Sequence, residues 1–365
     1  MKKYNLIPAT ILVVIIITLA GCSNTPSEEY YSESDYKTIE KIDTHVHINT
    51  ADHTLAEQAK TDNFRLITVN VNSPSYPELH TQRDVGSQLR NETDGNVQFL
   101  TTISLENWDD EEYWVQSTLQ QLEESFEKGA IGVKFWKNIG MEFKNAAGEF
   151  VMIDDPQFDP VFEYLAERNI PVLGHIGEPH SCWQPLEEMG VNFIREYYSN
   201  HPQYHMYLHP DNPSYDEIIE SRNNMLDKNP DLIFIGAHLG SMEWSIEMMR
   251  DHLDRYPNMV YDMAHRVTLL QYLTQQDRQG VRQLFLDYTD RFVYSTDIQH
   301  HVHSNPDDIR ELAERTWRQD WEYFTTDHIL MDSEVNDQTF RGLKLPKNVI
   351  DHLYRLNAER VFAGF

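Results

Sequence analysis

The length, composition and charge of the chain limit the kind of protein it encodes. Its 365 residues allow one large domain or two modest ones, and 40% of them are apolar, which is enough for a sizeable core. A formal charge of −29 excludes sequence-independent binding to nucleic acid, because the phosphates would repel such a surface. Two cysteines provide neither a disulfide scaffold nor a thiolate zinc site, so any metal site must use histidine and carboxylate ligands.

The N-terminus has the pattern of a secretory signal peptide. Lys2 and Lys3 precede an apolar stretch that ends in small residues. Residues 19–22 (LAGC) resemble the lipobox of bacterial lipoproteins, in which the cysteine is lipid-modified after cleavage. This resemblance implies a lipid on Cys22 that anchors the protein in the bacterial cell envelope, facing the periplasm or the cell surface. A membrane-spanning helix is the alternative, but the stretch is shorter than the ~20 residues that a span needs.

Three regions follow from this pattern. Residues 1–21 are the predicted signal peptide, and residues 22–38 are polar, acidic and without apolar periodicity, which predicts a flexible, solvated tether. In residues 39–365, short β-rich apolar runs alternate with amphipathic stretches, which is typical of repeated βα units with parallel strands. The eight predicted strands are Lys41–His47, Arg65–Asn72, Val97–Ser104, Ala130–Trp136, Ile170–Ile176, Leu232–Leu239, Asn258–Ala264 and Arg291–Asp297.

Apolar residues at helical spacing lie between these strands. The clearest sets are Val115, Leu119, Leu122 and Phe126, then Met242, Ile246, Met249 and Leu253, and near the C-terminus Val349, Ile350, Leu353 and Leu356. Eight βα units predict a (β/α)₈ TIM barrel of class α/β, whose usual length this chain fits. An open doubly wound sheet is disfavoured, because its first strand should lead into a glycine-rich loop that is absent here.

Two connections are longer than a single helix requires. They are residues 177–231, after strand five, and residues 298–346, after strand eight. Both begin at the C-terminal end of a strand, where barrel enzymes carry their active sites. We therefore expect loop insertions that shape a small-molecule pocket. A contact face for a homo-oligomer is the alternative.

Metal-competent side chains collect where the predicted strands end. His45 and His47 are two residues apart, so both point to one face of the first strand. His175, His238 and Asp297 end strands five, six and eight. A single histidine at a strand end is ordinarily a surface or hydrogen-bonded residue. Five such side chains at one end of a barrel instead indicate a catalytic metal site, with ligands that suit Zn, Fe, Mn or Ni.

These motifs resemble those of the amidohydrolase superfamily. The matching segments are 41–47 (KIDTHVH), 174–175 (GH), 236–240 (GAHLG), 294–297 (YSTD) and 357–362 (NAERVF). The last resembles the amidohydrolase-related branch, which contains lactone hydrolases and metal-dependent decarboxylases. The resemblance extends over residues 39–365.

The resemblance implies a role for each of these side chains. The implied metal ligands are His45, His47, His175 and Asp297. Asp297 would also accept the proton of the attacking water. His238 would stand beside the metal as a catalytic group that stabilises the oxyanion or orients the water. In superfamily members with two metal ions, a carbamylated lysine after strand four bridges them, so Lys134 is a candidate bridging or substrate-binding residue. A cationic lysine among the ligands would weaken metal binding, so Lys134 must be carbamylated, turned away or used to bind substrate. Many members of this branch have one metal ion and lack the bridging role, so the resemblance favours one divalent ion, zinc before others, over two.

The predicted activity is hydrolysis of a small lactone, ester or amide by metal-activated water. The alternative is non-oxidative decarboxylation of an unsaturated or aromatic carboxylic acid at the same metal, since both reactions use the same ligands. Arg266 and Trp136, just past strands seven and four, are candidates to hold the substrate, although ordinary rim residues fill such positions equally well. A non-catalytic binding protein is disfavoured because all expected ligand positions are occupied.

Overall fold

A computed structural model describes Met1 and residues 29–364. The predicted signal peptide and Cys22 lie outside the described residues, so the lipid anchor stays a prediction. In the part of the chain that the structure describes, no helix combines the length and the apolar character needed to cross a lipid bilayer.

A nine-stranded parallel sheet forms the centre of the molecule. Its strands are β1 (Lys41–Ile48), β2 (Phe64–Val69), β3 (Val97–Thr102), β4 (Val133–Phe135), β5 (Val172–Gly174), β6 (Phe234–Gly236), β7 (Met259–Asp262), β8 (Phe292–Val293) and β9 (Gln299–His300). Their spatial order is β8-β7-β6-β5-β4-β3-β2-β1-β9. Each strand up to β8 therefore pairs with its neighbour in sequence, as repeated βα units require.

The last two strands belong to one segment, residues 292–300, which lies between β7 and β1. β8 pairs with β7, and β9 pairs with β1. Between them, the Thr44 N–H donates to the Tyr294 carbonyl at 3.0 Å, and the Asp297 N–H donates to the His45 carbonyl at 2.8 Å. No continuous ladder joins β8 to β9, but the segment contacts both flanking strands. The predicted (β/α)₈ TIM-barrel fold is confirmed.

Helices surround the sheet. They are α1 (Thr54–Thr61), α2 (Leu79–Glu92), α3 (Glu111–Glu127), α4 (Asn138–Met141), α5 (Asp159–Glu167), α6 (Asn192–Asn200), α7 (Tyr215–Lys228), α8 (Ile246–Arg255), α9 (Val267–Asp287), α10 (Pro306–Thr325), α11 (Lys347–Asp351) and α12 (Asn357–Val361). An antiparallel hairpin, β10 (Ile329–Met331) and β11 (Thr339–Arg341), follows α10. The long connection after β5 contains α6 and α7, and the one after β9 contains α10 and the hairpin.

The strand side chains form two apolar layers, one inside the barrel and one beneath the helices. The inner layer takes two residues from β2 and one from each of six other strands: Ile42, Ile67, Val69, Leu100, Leu173, Ile235, Val260 and Val293. Ala358, Val361 and Phe362, at the C-terminus of the chain, pack against this layer. These two layers arise because successive side chains of a strand alternate between its two faces. The polar residues that follow each strand lie beyond the layers, at the C-terminal rim of the barrel.

The predicted elements differ from the observed ones in detail. The runs predicted for strands four to eight extend beyond the observed strands at both ends, and flanking apolar residues such as Ile131, Ile170 and Ile233 are only half-buried. In α3, Val115, Leu119 and Phe126 are only half-buried. The buried face is turned toward Trp114, whose indole packs against Trp108 with ring centroids 4.7 Å apart.

The tether prediction is wrong for the described part of residues 22–38. Tyr36 is 2% exposed and packs against Trp321, with ring centroids 6.1 Å apart. The Tyr31 hydroxyl donates to Asp351 at 2.8 Å. The tyrosines of this acidic segment supply the apolar surface that holds it against the barrel.

Candidate metal centre

Three candidate ligands converge at the C-terminal rim of the barrel. His45 and His47 project from β1 with their ring centroids 5.1 Å apart, and Asp297 lies between β8 and β9. One ligand atom from each side chain lies within 4.8 Å of the other two. The Asp297 Oδ1 is 3.0 Å from the His47 Nε2 and 3.8 Å from the His45 Nε2. Both histidines are buried, whereas the Asp297 side chain is 15% exposed.

Hydrogen bonds fix which nitrogen of each ring faces Asp297. The His45 Nδ1 donates to the Asp262 Oδ2 at 2.7 Å, and the His47 Nδ1 donates to the Val69 carbonyl at 2.7 Å. Since Nδ1 carries the proton in both neutral rings, the Nε2 lone pairs point toward Asp297. Such partners orient metal-binding histidines.

This arrangement fits a divalent metal ion. An imidazole lone pair and a carboxylate oxygen repel at the 3.0 Å that separates His47 from Asp297, so a proton or a cation must lie between them. Two ligands that are each ~2.1 Å from one ion lie roughly 3 Å apart when they are neighbours in its coordination shell. Burial, with the charge of Lys134, lowers the pKa of His45 and favours the neutral ring that binds metals.

His175 and His238 lie beside this cluster. Their ring centroids are 4.1 Å apart, and the His238 ring is 5.2 Å from that of His45. The His175 Nε2 is buried and has no hydrogen-bond partner among the described residues, and burial lowers the pKa of this ring to about 3. A buried ring nitrogen without a hydrogen-bond partner is costly, so the His175 Nε2, which lies 3.8 Å from the Glu178 Oε2, fits a ligand of a bound ion. Of the four predicted ligands, the structure gathers three and places His175 next to them.

An unusual turn after β6 positions His238. Residues 238–241 all have φ between 57° and 60°, the left-handed region in which only Gly240 avoids a steric cost. The Asp262 Oδ1 accepts the His238 N–H at 2.6 Å, and Arg222 donates to the Gly240 carbonyl. The Tyr215 hydroxyl donates to the next carbonyl along the turn at 2.6 Å.

Because of this turn, the helix that follows begins later in the sequence than predicted. The spacing of apolar residues predicts a helix from Met242, but α8 begins at Ile246. The Ser245 hydroxyl caps α8 by accepting the Met248 N–H. The left-handed stretch ends at Ser241, and the helix starts only after Ser245, whose backbone is extended.

Asp262 joins two of the site histidines, and the sequence analysis missed it. Its two oxygens accept from the His45 ring and from the His238 backbone. Burial opposes ionisation of Asp262, but the charge and hydrogen bond of His45 outweigh it and lower the pKa of this carboxyl. The available signal was a single acidic residue within the apolar run MVYDMA, at the end of strand seven.

Lys134 of β4 faces the same cluster. Its Nζ lies 3.4 Å from the His45 Nε2, and the residue is 1% exposed. Burial lowers the pKa of Lys134 to about 8, although the nearby Asp262 and Asp297 favour the charged form. A neutral or carbamylated amine leaves the His45 lone pair available, whereas a protonated amine competes for it.

A cavity of about 480 Å³ opens above the candidate ligands. Both predicted substrate-binding residues, Arg266 and Trp136, line it, and their role stays a prediction. The Glu178 carboxylate bridges two cations at its wall: Lys137 donates to Oε1, and an Arg266 nitrogen lies 3.5 Å from Oε2. Burial would raise the pKa of Glu178, but the charge of Lys137 holds it well below its usual range. The sequence analysis missed Lys137 and Glu178, since each follows its strand at an ordinary loop position.

The chain is similar to several solved structures over most of its length. A variant of 5-carboxyvanillate decarboxylase from Novosphingobium aromaticivorans with bound manganese gives a TM-score of 0.50 at 11% identity, covering 90% of this chain and 98% of that one. 2,6-Dihydroxybenzoate decarboxylase from Rhizobium gives a TM-score of 0.49 at 14% identity, covering 88% of this chain and 98% of that one. 4-Oxalomesaconate hydratase from Rhodopseudomonas palustris gives a TM-score of 0.46 at 12% identity, covering 88% of this chain and 95% of that one. At these identities the likeness shows the fold alone.

The family assignment comes from the sequence. No curated protein matches the chain significantly. The amidohydrolase family model Amidohydro_2 matches residues 108–364, which is more than half of the chain. This segment carries Lys134, His175, His238 and Asp297. The superfamily binds divalent metals, in agreement with the histidine and aspartate cluster at the barrel rim. The chain therefore belongs to the Amidohydro_2 family of amidohydrolases.

Proposed function

We propose that the chain is a metal-dependent hydrolase of a small lactone, ester or amide. The observation that carries the proposal is the convergence of His45, His47 and Asp297 at the floor of a cavity that admits a small molecule. These three residues and His175 would hold one divalent ion, with zinc first among the candidates. When bound, such an ion polarises a carbonyl and lowers the pKa of water.

Asp297 is the proton acceptor in this proposal. Burial would raise the pKa of its carboxyl, but in the metal-free site a proton held between His47 and Asp297, together with the charges of His45 and His265 when they are protonated, holds it well below its usual range. It is therefore ionised at neutral pH. Its Oδ1 faces the β1 histidines, and its Oδ2 lies 3.9 Å from His265 at the cavity wall. A water in the cavity reaches Oδ2, which accepts the proton and returns it to the leaving group.

His238 orients this water. Its Nδ1 donates to the Ala264 carbonyl at 2.7 Å, and burial lowers its pKa far below neutrality. The ring is thus neutral, with a lone pair on Nε2. A lone pair accepts a hydrogen bond from water but gives none to an oxyanion. This tautomer therefore favours orientation of the water over stabilisation of the oxyanion.

Arg266 and Trp136 hold the substrate. The Arg266 Nε is buried without a hydrogen-bond partner among the described residues, although the side chain lines the cavity. A substrate oxygen would satisfy it. Trp136 is half-buried and offers a flat apolar wall.

Decarboxylation of an unsaturated or aromatic acid is the second candidate. Three cationic side chains, Lys134, Lys137 and Arg266, line the cavity. A substrate carboxylate would find its counter-charges there, and the candidate ligands would be the same.

A panel of lactones, esters, amides and unsaturated carboxylic acids, with detection of carbon dioxide, tests both candidates. We expect hydrolysis without release of carbon dioxide, and release from an acid would select decarboxylation instead. His47→Ala should lose the metal and at least 10³-fold in kcat, whereas His303→Ala, at an exposed position, should retain both. Full activity of metal-free protein would refute both candidates.

The number of metal ions is tested at Lys134. With a single ion, Lys134→Met removes a competitor for the His45 lone pair, so the metal should bind more tightly at an unchanged stoichiometry of one. A fall from two ions to one, measured by elemental analysis, would contradict the proposal and identify Lys134 as a bridging ligand.

We also propose the lipid anchor at Cys22, on the basis of residues 19–22 alone. Labelled palmitate should be incorporated in a bacterial host and should disappear in Cys22→Ala. The labelled protein should fractionate with the cell envelope, and retention of the label in the variant would refute the anchor.

A further inference from the structure

Two large apolar side chains are exposed side by side on the hairpin formed by β10 and β11. Ile329 is 66% exposed and Met331 is 68% exposed, and both lie on the outer face of β10 because side chains alternate along a strand. On the inner face, Phe340 pairs with Leu330 and is buried against Tyr323. The inner face therefore supplies the packing that holds the hairpin on the barrel, whereas the outer face is open to solvent.

The opposing strand completes this outer surface without an acid. Thr339 pairs with Met331 and Arg341 pairs with Ile329, and both residues of β11 are exposed. We call these four residues the hairpin face. In a chain with 59 acidic and 30 basic residues, residues 338–347 carry three cations and no acid. Apolar side chains beside a basic residue are the combination that suits an anionic lipid surface.

The segment that begins at Glu29 lies beside the hairpin. The Glu29 carbonyl accepts from the Lys347 N–H at 2.8 Å, and the Glu29 carboxylate accepts from the Lys347 Nζ at 3.2 Å. The His328 ring, directly before β10, is 3.2 Å from the Glu33 carboxylate. These contacts fix the segment against the base of the hairpin.

The base of the hairpin is close in sequence to the predicted lipid. Glu29 is seven positions after Cys22, and an extended chain spans at most ~3.6 Å per residue, which limits the separation to roughly 25 Å. A bilayer that holds a lipid on Cys22 is therefore within reach of the hairpin face. A short tether gives the tethered surface an effective concentration in the millimolar range, so a contact of low intrinsic affinity is sufficient.

We propose that the hairpin face contacts the membrane surface, with Ile329 and Met331 inserted between lipid headgroups and Arg341 beside anionic phosphates. The proposal rests on the proposed lipid anchor at Cys22 and is independent of the proposed hydrolase activity. The lipid brings the barrel to the bilayer, and the hairpin face determines which side of the barrel is turned toward it.

Quenching by spin-labelled lipids tests this contact. The protein is produced in a bacterial host, labelled with an environment-sensitive fluorophore on Met331→Cys, and reconstituted into vesicles of phosphatidylethanolamine, phosphatidylglycerol and spin-labelled phosphatidylcholine. Cys182 is buried and so does not take up the label. We expect the spin-labelled lipid to quench this probe at least threefold more than a probe on Val302→Cys.

Val302 is a matched control position. It is 67% exposed, which equals the exposure of Met331, and it precedes α10, whereas the hairpin follows that helix. The 20 residues of α10 span roughly 30 Å, so the two probes are well separated. Ile329→Asp in the Met331→Cys protein should lower the quenching at least twofold, and Val302→Asp should leave it unchanged. Thr339→Asp, on the opposing strand, gives a second test, and circular dichroism establishes that each variant is folded.

Equal quenching of the two probes in protein that sediments with the vesicles would overturn the contact and leave the lipid anchor standing. Native protein that incorporates no labelled palmitate would overturn the anchor and the contact together. Disulfide-linked dimers of the Met331→Cys protein, formed in place of lipid quenching, would assign the hairpin face to a second copy of the chain and overturn the contact.

Discussion

Replacing Asp262 with asparagine tests whether this residue holds the metal centre together. Both of its oxygens accept N–H groups, one from the His45 ring at 2.7 Å and one from the His238 backbone at 2.6 Å. An asparagine has one acceptor oxygen, so in either orientation its NH₂ group faces an N–H donor. The substitution is nearly isosteric, which separates the loss of hydrogen bonding from a loss of packing.

The magnitude follows from these two contacts. Hydrogen bonds to a charged group contribute about 1.5–3 kcal/mol each, so losing one and weakening the other should lower the free energy of unfolding by about 2–4 kcal/mol. Partners that orient metal-binding histidines typically change metal affinity 10–100-fold. We therefore expect Asp262→Asn to bind the metal 10–100-fold more weakly, because its His45 ring is no longer held in one tautomer.

Chelator competition measures the metal affinity, and denaturant unfolding of the metal-free protein measures the stability. Asp290→Asn, at the exposed turn before β8, controls for the loss of one acidic side chain. Unchanged metal affinity in a folded Asp262→Asn would refute the claim that Asp262 orients a metal ligand. A loss of stability alone would assign Asp262 a purely structural role.

Three further predictions concern the framework of the site. Burial raises the pKa of Glu243 from 4.5 to about 7, so the stability that the protonated acid contributes is lost as the pH rises through 7. Glu243→Gln should therefore be more stable than the native protein, by up to about 3 kcal/mol at pH 8 and by less at pH 5. Denaturant unfolding at the two pH values measures this difference. In Gly174→Ala the new Cβ would lie 2.3 Å from the Phe234 ring, so a loss of about 1–3 kcal/mol is expected, with recovery in the double variant Gly174→Ala/Phe234→Leu. Arg222→Met should lower kcat more than it raises KM, because the turn that carries His238 loses its buried donor; equal changes in both would contradict this.

The barrel was predictable because its signals are local and repeated. Each buried strand is a short apolar run, and the intervening helices show a 3.6-residue period, so neither feature depends on distant contacts. The ends of these elements were less predictable. A residue such as Leu239 continues the apolar run of strand six, yet it lies in left-handed backbone held by Asp262, Arg222 and Tyr215 from other elements.

The candidate ligands were predictable for a different reason. Parallel strands place their C-terminal ends together, so His45, His47 and Asp297 had to approach one another once the fold was correct. Asp262 was missed although it ends a strand, because one acid in an apolar run has no spacing partner. Glu178 was missed because its contacts with Lys137 and Arg266 join three separate loops, a pairing that no local pattern encodes.

The charges around His45 indicate that the chemical state of Lys134 would affect metal binding in the proposed site. Without a metal ion, the charges of two carboxylates, Asp262 and Asp297, stabilise the Lys134 cation, and its Nζ lies 3.4 Å from the His45 Nε2. An ion bound to His45 and Asp297 would occupy the side of the imidazole that the amine now faces. A buried divalent ion and a protonated lysine amine would repel each other strongly at this distance. Metal binding would therefore require Lys134 to lose its proton, to move away or to be carbamylated. On the proposed function, Lys134 would thus limit metal affinity in its cationic form and could hold a second ion in its carbamylated form.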